Sequence, residues 1–508
     1  MLRKAKTENG IVKGIEAADP RITAFKGIPY AAPPVGENRW RAPQPCENWE
    51  GELEAYRFAP ISMQDTPGIG DNLYNREWHV DSDIEMSEDC LYLNVWTGAK
   101  SADEKLPVVV WYFGGGLQWG YTSEMEFDGE RVARRGIVVV TINYRLNAFG
   151  FLAHPELTKS QPEAPTNFGS LDQQAGLRWV KRNIAAFGGD PDNITIAGQS
   201  AGGGSVLSQM TCPDNVGLFN RAIIQSAMIW DPYKNSGIVE PRSMEEAEKA
   251  GLEFFKCLGV STLEEARKLD AVYVRNKFSE YMSGDFSKIM TTVRDNVFCF
   301  GNPLKLIIEG KYIHVPVMAG NTADEYHIMI EENDKNKVKV MAEQIFGDNA
   351  QEFLNIIEAD PSKGVKEATE VNGIECSVKA VLDKITAKDG NDSYYYRFDA
   401  DIPGWDNAGT FHSVELWFFF ETLAKCWRPF DGRHYDLARK MCNYWCNFIK
   451  TGNPNGCDAD GSRMPEWPAY SASNPKDMVF GTDGPYITER EEGCLENYLR
   501  DRLSEILQ

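Results

Sequence analysis

The stretch from Phe187 to Gly202, Phe-Gly-Gly-Asp-Pro-Asp-Asn-Ile-Thr-Ile-Ala-Gly-Gln-Ser-Ala-Gly, constrains the fold of this chain more than any other. Ile194, Thr195, Ile196 and Ala197 form a short, largely β-branched run that predicts a buried strand. Gly198, Gln199, Ser200, Ala201 and Gly202 follow with no spacer, so the strand must turn at once into the next element. A serine on so sharp a turn sits in a strained backbone conformation, and glycines two residues to either side give it room. The pattern predicts a hydroxyl presented as a nucleophile at Ser200. With 44 glycines in 508 residues, the pentapeptide alone reads equally well as a glycine-rich turn without chemistry, so the other groups that a nucleophile needs must be found.

One need is a place for the negative charge that develops on an attacked carbonyl oxygen. Leu106 to Phe113 reads as a second buried strand and delivers Gly114, Gly115 and Gly116 at its end. Consecutive glycines let backbone N–H groups converge on one point. The expected donors are Gly115, Gly116 and Ala201, the last being the residue after the nucleophile.

A base and its orienting acid are also required. The histidines are His79, His154, His314, His327, His412 and His434. Where a serine is presented on a strand-to-helix turn of this kind, the acid and the histidine follow it along the chain, which leaves the last four. His412 lies in a glycine-containing loop, Ala408-Gly-Thr-Phe-His-Ser-Val-Glu-Leu416, that opens into an aromatic stretch. His314 precedes a predicted strand, and His434 sits in a charged helical segment. The run from Val315 to Asn321 predicts another buried strand, with Asp324 and Glu325 just past its end, where α/β sheets carry their functional loops. Local reasoning does not choose between those two carboxylates.

The chain resembles the type B carboxylesterases, the esterase and cholinesterase branch of the α/β-hydrolase fold, nearly end to end. Phe25-Lys-Gly-Ile-Pro-Tyr-Ala-Ala-Pro-Pro-Val-Gly36, with Arg39, Trp40 and Pro43, is similar to the family's N-terminal motif. Ser87-Glu-Asp-Cys-Leu-Tyr-Leu-Asn94 resembles its second signature, and the Phe187 to Gly202 stretch resembles its serine signature. Asn167-Phe-Gly-Ser-Leu-Asp-Gln173 and the helix through Trp179 to Asn183 are similar as well. The resemblance implies Ser200 as nucleophile, Glu325 rather than Asp324 as the acid, His412 as the base, and Gly115, Gly116 and Ala201 as oxyanion donors. It implies a carboxylic ester hydrolase working through an acyl-enzyme on small to medium esters. An amidase with the same groups is the alternative, and a binding protein that keeps the fold without the chemistry is the more distant one.

Three departures from the family pattern stand out. Phe113 replaces a histidine common before the glycines, which should leave a hole built from backbone N–H groups intact. Gln199 replaces a glutamate common beside the nucleophile, predicting a lower His412 pKa than a glutamate would give and weaker attraction for cations. Ser62 stands where secreted relatives carry the cysteine that bridges to the counterpart of Cys90. Phe113, Gln199 and Trp230, the last just after the predicted strand 222–227, are the candidate pocket residues.

Strands near 106–113, 137–143, 194–198, 221–226, 315–320 and 393–398 alternate with helical segments such as 171–186, predicting a mostly parallel sheet covered on both faces. No linker or low-complexity run divides the chain, so residues 1–508 read as one domain, with 230–312 as a helical insertion capping the site. The formal charge of −22 disfavours nucleic acid as a partner. No window approaches a membrane span, and the N-terminal ten residues have no apolar h-region. Eleven dispersed cysteines read as ordinary buried thiols. Together these predict a reduced, cytoplasmic, bacterial-type protein acting on a small-molecule ester. Neither His412-Ser-Val-Glu415 nor Cys442-Asn-Tyr-Trp-Cys446 supplies a complete metal-ligand set, and the chemistry needs no metal or cofactor.

Overall fold

The computed structural model describes residues 1–506 except 235, 238, 239, 391 and 490–492. Its centre is an eleven-stranded mixed sheet. In chain order the strands are β1 (Ile15–Glu16), β2 (Thr23–Pro29), β3 (Tyr92–Thr97), β4 (Leu106–Tyr112), β5 (Val138–Ile142), β6 (Gly189–Gln199), β7 (Arg221–Gln225), β8 (Val317–Thr322), β9 (Ser393–Asp399), β10 (Asp477–Gly481) and β11 (Gly484–Thr488). Their spatial order is β11-β10-β9-β8-β7-β6-β4-β5-β3-β2-β1. From β5 to β10 every neighbouring pair is parallel, and antiparallel strands close both edges.

The apolar runs form central strands because both faces are covered. Along β4, Val108, Val110 and Tyr112 join one buried cluster, while Val109 and Trp111 join the cluster on the opposite face. The predicted helix at 171–186 is α1 (Phe168–Asn183), followed by a short 3-10 turn (Ile184–Phe187). Arg145, shortly after β5, ties α1 to the sheet, with the Asp172 carboxylate accepting from Arg145 Nε at 2.8 Å and Nη2 at 2.7 Å, both side chains fully buried or nearly so.

Topology fixes where a site can form. After β4 the chain steps to β5 on one side, then returns to β6 on the other side of β4. This is the switch point at which parallel sheets open a crevice beyond their carboxyl ends. The register pairs Tyr112 with Gly198, so the glycine loop after β4 and the turn after β6 emerge side by side.

Within the described part of 230–312, helices α3 (Met244–Leu258) and α4 (Ala271–Met282) lie outside the sheet. Residues 235, 238 and 239 of that segment lie outside the described residues. Phe254, Phe255 and Phe278 from these helices pack into the same apolar cluster as Trp40 and Phe149. Among the described residues, no helix is long and apolar enough to cross a membrane.

Candidate active site

Ser200 stands between β6 and the helix α2 (Ala201–Thr211), at φ 56° and ψ −127°. A non-glycine residue occupies that region only when its surroundings hold it there. Here Ser200 N–H donates to the Gln225 carbonyl of β7 at 2.9 Å, and Gly204 N–H donates to the Ser200 carbonyl at 2.9 Å. The flanking glycines are sterically required. A Cβ on Gly202 would lie 2.0 Å from the Tyr112 carbonyl oxygen, and one on Gly198 would lie 2.4 Å from the Gly202 backbone. Only glycine lets β4, β6 and α2 meet this closely.

The loop after β4 carries Gly115 at φ 97° and Gly116 at φ 64°. The Gly115 carbonyl accepts from Gln118 and Trp119 N–H at 3.0 Å each, which turns the loop back on itself. The N–H groups of Gly115, Gly116 and Ala201 donate to no described group, and all three residues line the cavity that contains Ser200.

Glu325 and His412 come from loops about ninety positions apart in sequence, and a bridge between Asp324 and Phe411 brings them together. Asp324, the carboxylate that local reasoning could not separate from Glu325, is a clamp: its Oδ2 accepts from Thr410 N–H at 2.8 Å and from the Thr410 hydroxyl at 2.9 Å. That aims the next residue of each loop at the other. His412 Nδ1 lies 2.6 Å from Glu325 Oε2, and Glu325 Oε1 accepts from Thr322 N–H at 3.0 Å. Burial raises the pKa of the Glu325 carboxyl, but the His412 charge and hydrogen bond, the Ser226 hydroxyl and the Thr322 N–H outweigh it, and the pKa ends below the ordinary value. Burial pulls the His412 pKa down, yet the charge and hydrogen bond of Glu325, with a smaller contribution from Glu415, raise it above the ordinary histidine value.

Two features here were not legible in the sequence. Gln199 Nε2 lies 3.2 Å from His412 Nε2, so an imidazole that donates Nδ1–H to Glu325 accepts from the Gln199 amide on its other side. Ser200 and His412 make no hydrogen bond in this structure, although both line the same cavity. Glu415 is fully buried beside the pair. One oxygen faces the Ser226 hydroxyl at 3.4 Å and the other has no partner among the described residues. Burial and the Glu325 charge push its carboxyl up to about 7.

Gln199 lines the cavity, and Phe113 and Trp230 do not. Phe113 continues the alternation of β4 into the core and stacks on Tyr144, with ring centroids 4.3 Å apart. Trp230 is 1% exposed in the apolar cluster on the other sheet face. Ser62 lies beside the buried Cys90 thiol, and none of the eleven cysteines is in a disulfide. Cys442 and Cys446 are buried on one helix face, with sulfurs 3.9 Å apart.

The cavity has a volume of about 530 Å³ and lies at the switch point. Tyr74, Trp78, Leu117, Phe127, Ile229 and Leu304 supply apolar wall, and Pro241, Ile289 and Thr292 reach it from the segment 230–312.

A parallel sheet with a strained serine at the β6 turn, a glycine loop beside it and a buried histidine–glutamate pair defines the α/β-hydrolase class. Comparison with known proteins narrows this, because the model of the Carboxylesterase family matches residues 2–492. The chain is 31% identical to the fumonisin B1 esterase of Sphingopyxis macrogoltabida, covering 94% of this chain and 86% of that protein. It is 31% identical to the para-nitrobenzyl esterase of Bacillus subtilis, covering 94% and 93%. Among solved structures, a PNB esterase superposes with a TM-score of 0.75 at 28% identity over 99% of this chain and 100% of that one. A Geobacillus stearothermophilus carboxylesterase gives 0.74 at 31% identity, over 98% and 99%. The chain belongs to the carboxylesterase family and is an ester hydrolase.

Proposed function

We propose that Ser200 attacks the ester carbonyl as its proton passes to His412 Nε2, with Glu325 holding the imidazole through Nδ1. The observation that carries this reading is the 2.6 Å contact between His412 and Glu325, buried in the cavity that contains the strained Ser200. Gly115, Gly116 and Ala201 offer N–H groups with no other described acceptor to the oxyanion. Alcohol departs, water activated by His412 cleaves the acyl-enzyme, and the serine is regenerated.

Gln199 shapes the first step. While its amide occupies His412 Nε2, Ser200 must take its place before proton transfer, so bound substrate has to favour the serine rotamer that reaches the imidazole. The apolar wall and volume support small to medium carboxylic esters, and para-nitrobenzyl esters, after which one relative is named, make a fitting first panel. We further read residues 1–508 as one catalytic domain with 230–312 as a cap, because Pro241, Ile289 and Thr292 of that segment meet the cavity. Thiols without a bridge support a reducing, cytoplasmic setting.

Fluorophosphonate labelling with peptide mapping tests the assignment, and the label is expected on Ser200 alone. Ser200→Ala should abolish turnover of an aryl ester in a protein with unchanged circular dichroism. Retained turnover, or a label on another serine, would overturn the reading.

A further inference from the structure

The cavity carries a second set of ionisable groups that the reaction does not use: His79, Glu124 and Glu126. Glu124 Oε1 accepts from Tyr121 N–H at 2.8 Å and lies 3.2 Å from His79 Nε2. Glu126 is fully buried, and neither carboxylate oxygen accepts a well-formed hydrogen bond from a described residue. The charges acting on it are those of Glu124 and Glu77, which are of its own sign. The nearby guanidinium is already committed, because Arg428 pairs with Glu77 at 2.6 Å and Asp406 at 2.9 Å.

This is unusual for the molecule. Among the described residues, the buried carboxylates Asp172 and Glu77 are each held by an arginine, and Asp477 by Lys379. A buried carboxylate without donors is costly, and two facing each other need a proton or a cation between them. Burial and the Glu124 charge raise the pKa of the Glu126 carboxyl well above the ordinary range. Both residues border the ester cavity, where a substrate substituent can bring a donor instead.

We propose that Glu124 and Glu126 form a subsite for a protonated primary amine carried by the ester substrate, with Trp78 and Phe127 as its apolar flanks. This rests on the cavity being the ester site. The chemistry asks for N–H donors, since unsatisfied carboxylate oxygens are hydrogen-bond acceptors. A quaternary ammonium has the charge but no proton to donate. It also moves cation recognition away from the nucleophile, where Gln199 supplies no charge.

The test compares kcat/KM for three aryl esters that differ only at the far end of the acyl chain, bearing a primary ammonium, a trimethylammonium or a methyl group. Wild type should prefer the primary ammonium over each of the others by about ten-fold, the scale of one charge-assisted hydrogen bond. Glu126→Gln and Glu124→Gln should each bring that ratio toward unity. A ratio does not depend on how much of a variant is folded, and the wild-type arm stands without either variant. In the same cavity, a primary alkylamine should inhibit methyl-ester turnover more strongly than its trimethylammonium analogue. Turnover of the methyl ester with no preference for the primary ammonium, equal preference for both cations, or a ratio that neither substitution moves would overturn the subsite alone. Failure of wild type on all three esters would instead overturn the proposed function.

Discussion

The buried acidic groups around Glu77 and those around His412 are compensated differently. Glu77 Oε1 accepts from Arg428 Nε at 2.8 Å and Trp427 Nε1 at 3.1 Å, and its Oε2 accepts from Trp417 Nε1 at 3.3 Å. Arg428 also forks onto Asp406, with two contacts of 2.9 Å. Around His412, Glu325 is similarly well supplied, but Glu415 has one long hydroxyl contact and an unpartnered oxygen, and titrates at about 7. Burial is common to both places, so burial is not what marks a chemical site. The mark is charge that the fold leaves partly unpaid by hydrogen bonds, which keeps protons exchangeable near neutral pH.

The comparison breaks most easily at its strongest points. Glu325→Gln removes the acceptor that fixes the imidazole tautomer, and kcat should fall on the order of ten-thousand-fold with little change in fold. A loss under about ten-fold would mean that Glu325 is no more than a packing group. Arg428→Ala should act on the other cluster. It strands Glu77 in the interior, at a cost of roughly 3–5 kcal/mol in chemical denaturation. The two variants should separate cleanly, one losing turnover at near-normal stability and the other losing stability first. If Arg428→Ala is as stable as wild type, the Glu77 cluster is not a closed structural unit.

The central strands were legible because parallel strands buried on both faces read as unbroken apolar runs, and the β4, β6, β7, β8 and β9 segments all lie where those runs occur. The turn at Ser200 was legible because Gly198 and Gly202 have no steric alternative. Side chains whose role depends on a distant loop were not. Nothing near Asp324 distinguishes it from Glu325, since the difference is a bridge to Phe411 and Thr410 far along the chain. Phe113 suggests pocket wall because it stands where the family pattern has a histidine, and Trp230 because it follows a strand, yet alternation carries the first into the core and packing buries the second. Glu124 and Glu126 gave no signal, because an acidic pair in a loop is usually solvated. Glu415 shows in the sequence only the i, i+3 spacing from His412 of a possible metal pair.

The smaller effects concern how charge near His412 sets the pH profile. His412 must be neutral to take the serine proton, and its pKa is raised, so wild-type kcat/KM should fall, as pH drops, at a higher pH than an ordinary histidine would give. Gln199→Glu places a negative charge where the amide lies 3.2 Å from Nε2, which favours imidazolium, and the acid limb should move further up. An unmoved limb would refute any electrostatic role for position 199.

Glu415→Gln should do the opposite, and by less, since Glu415 is the smallest of the contributions that raise His412. The sign depends on both titrations. With its carboxyl at about 7, Glu415 gains charge over the same range in which His412 loses its proton, which delays that loss and broadens the limb. Without the carboxylate, the limb should become steeper and shift to lower pH while retaining its alkaline plateau. A limb that keeps its breadth in Glu415→Gln would show that Glu415 stays protonated throughout and contributes only packing beside Ser226.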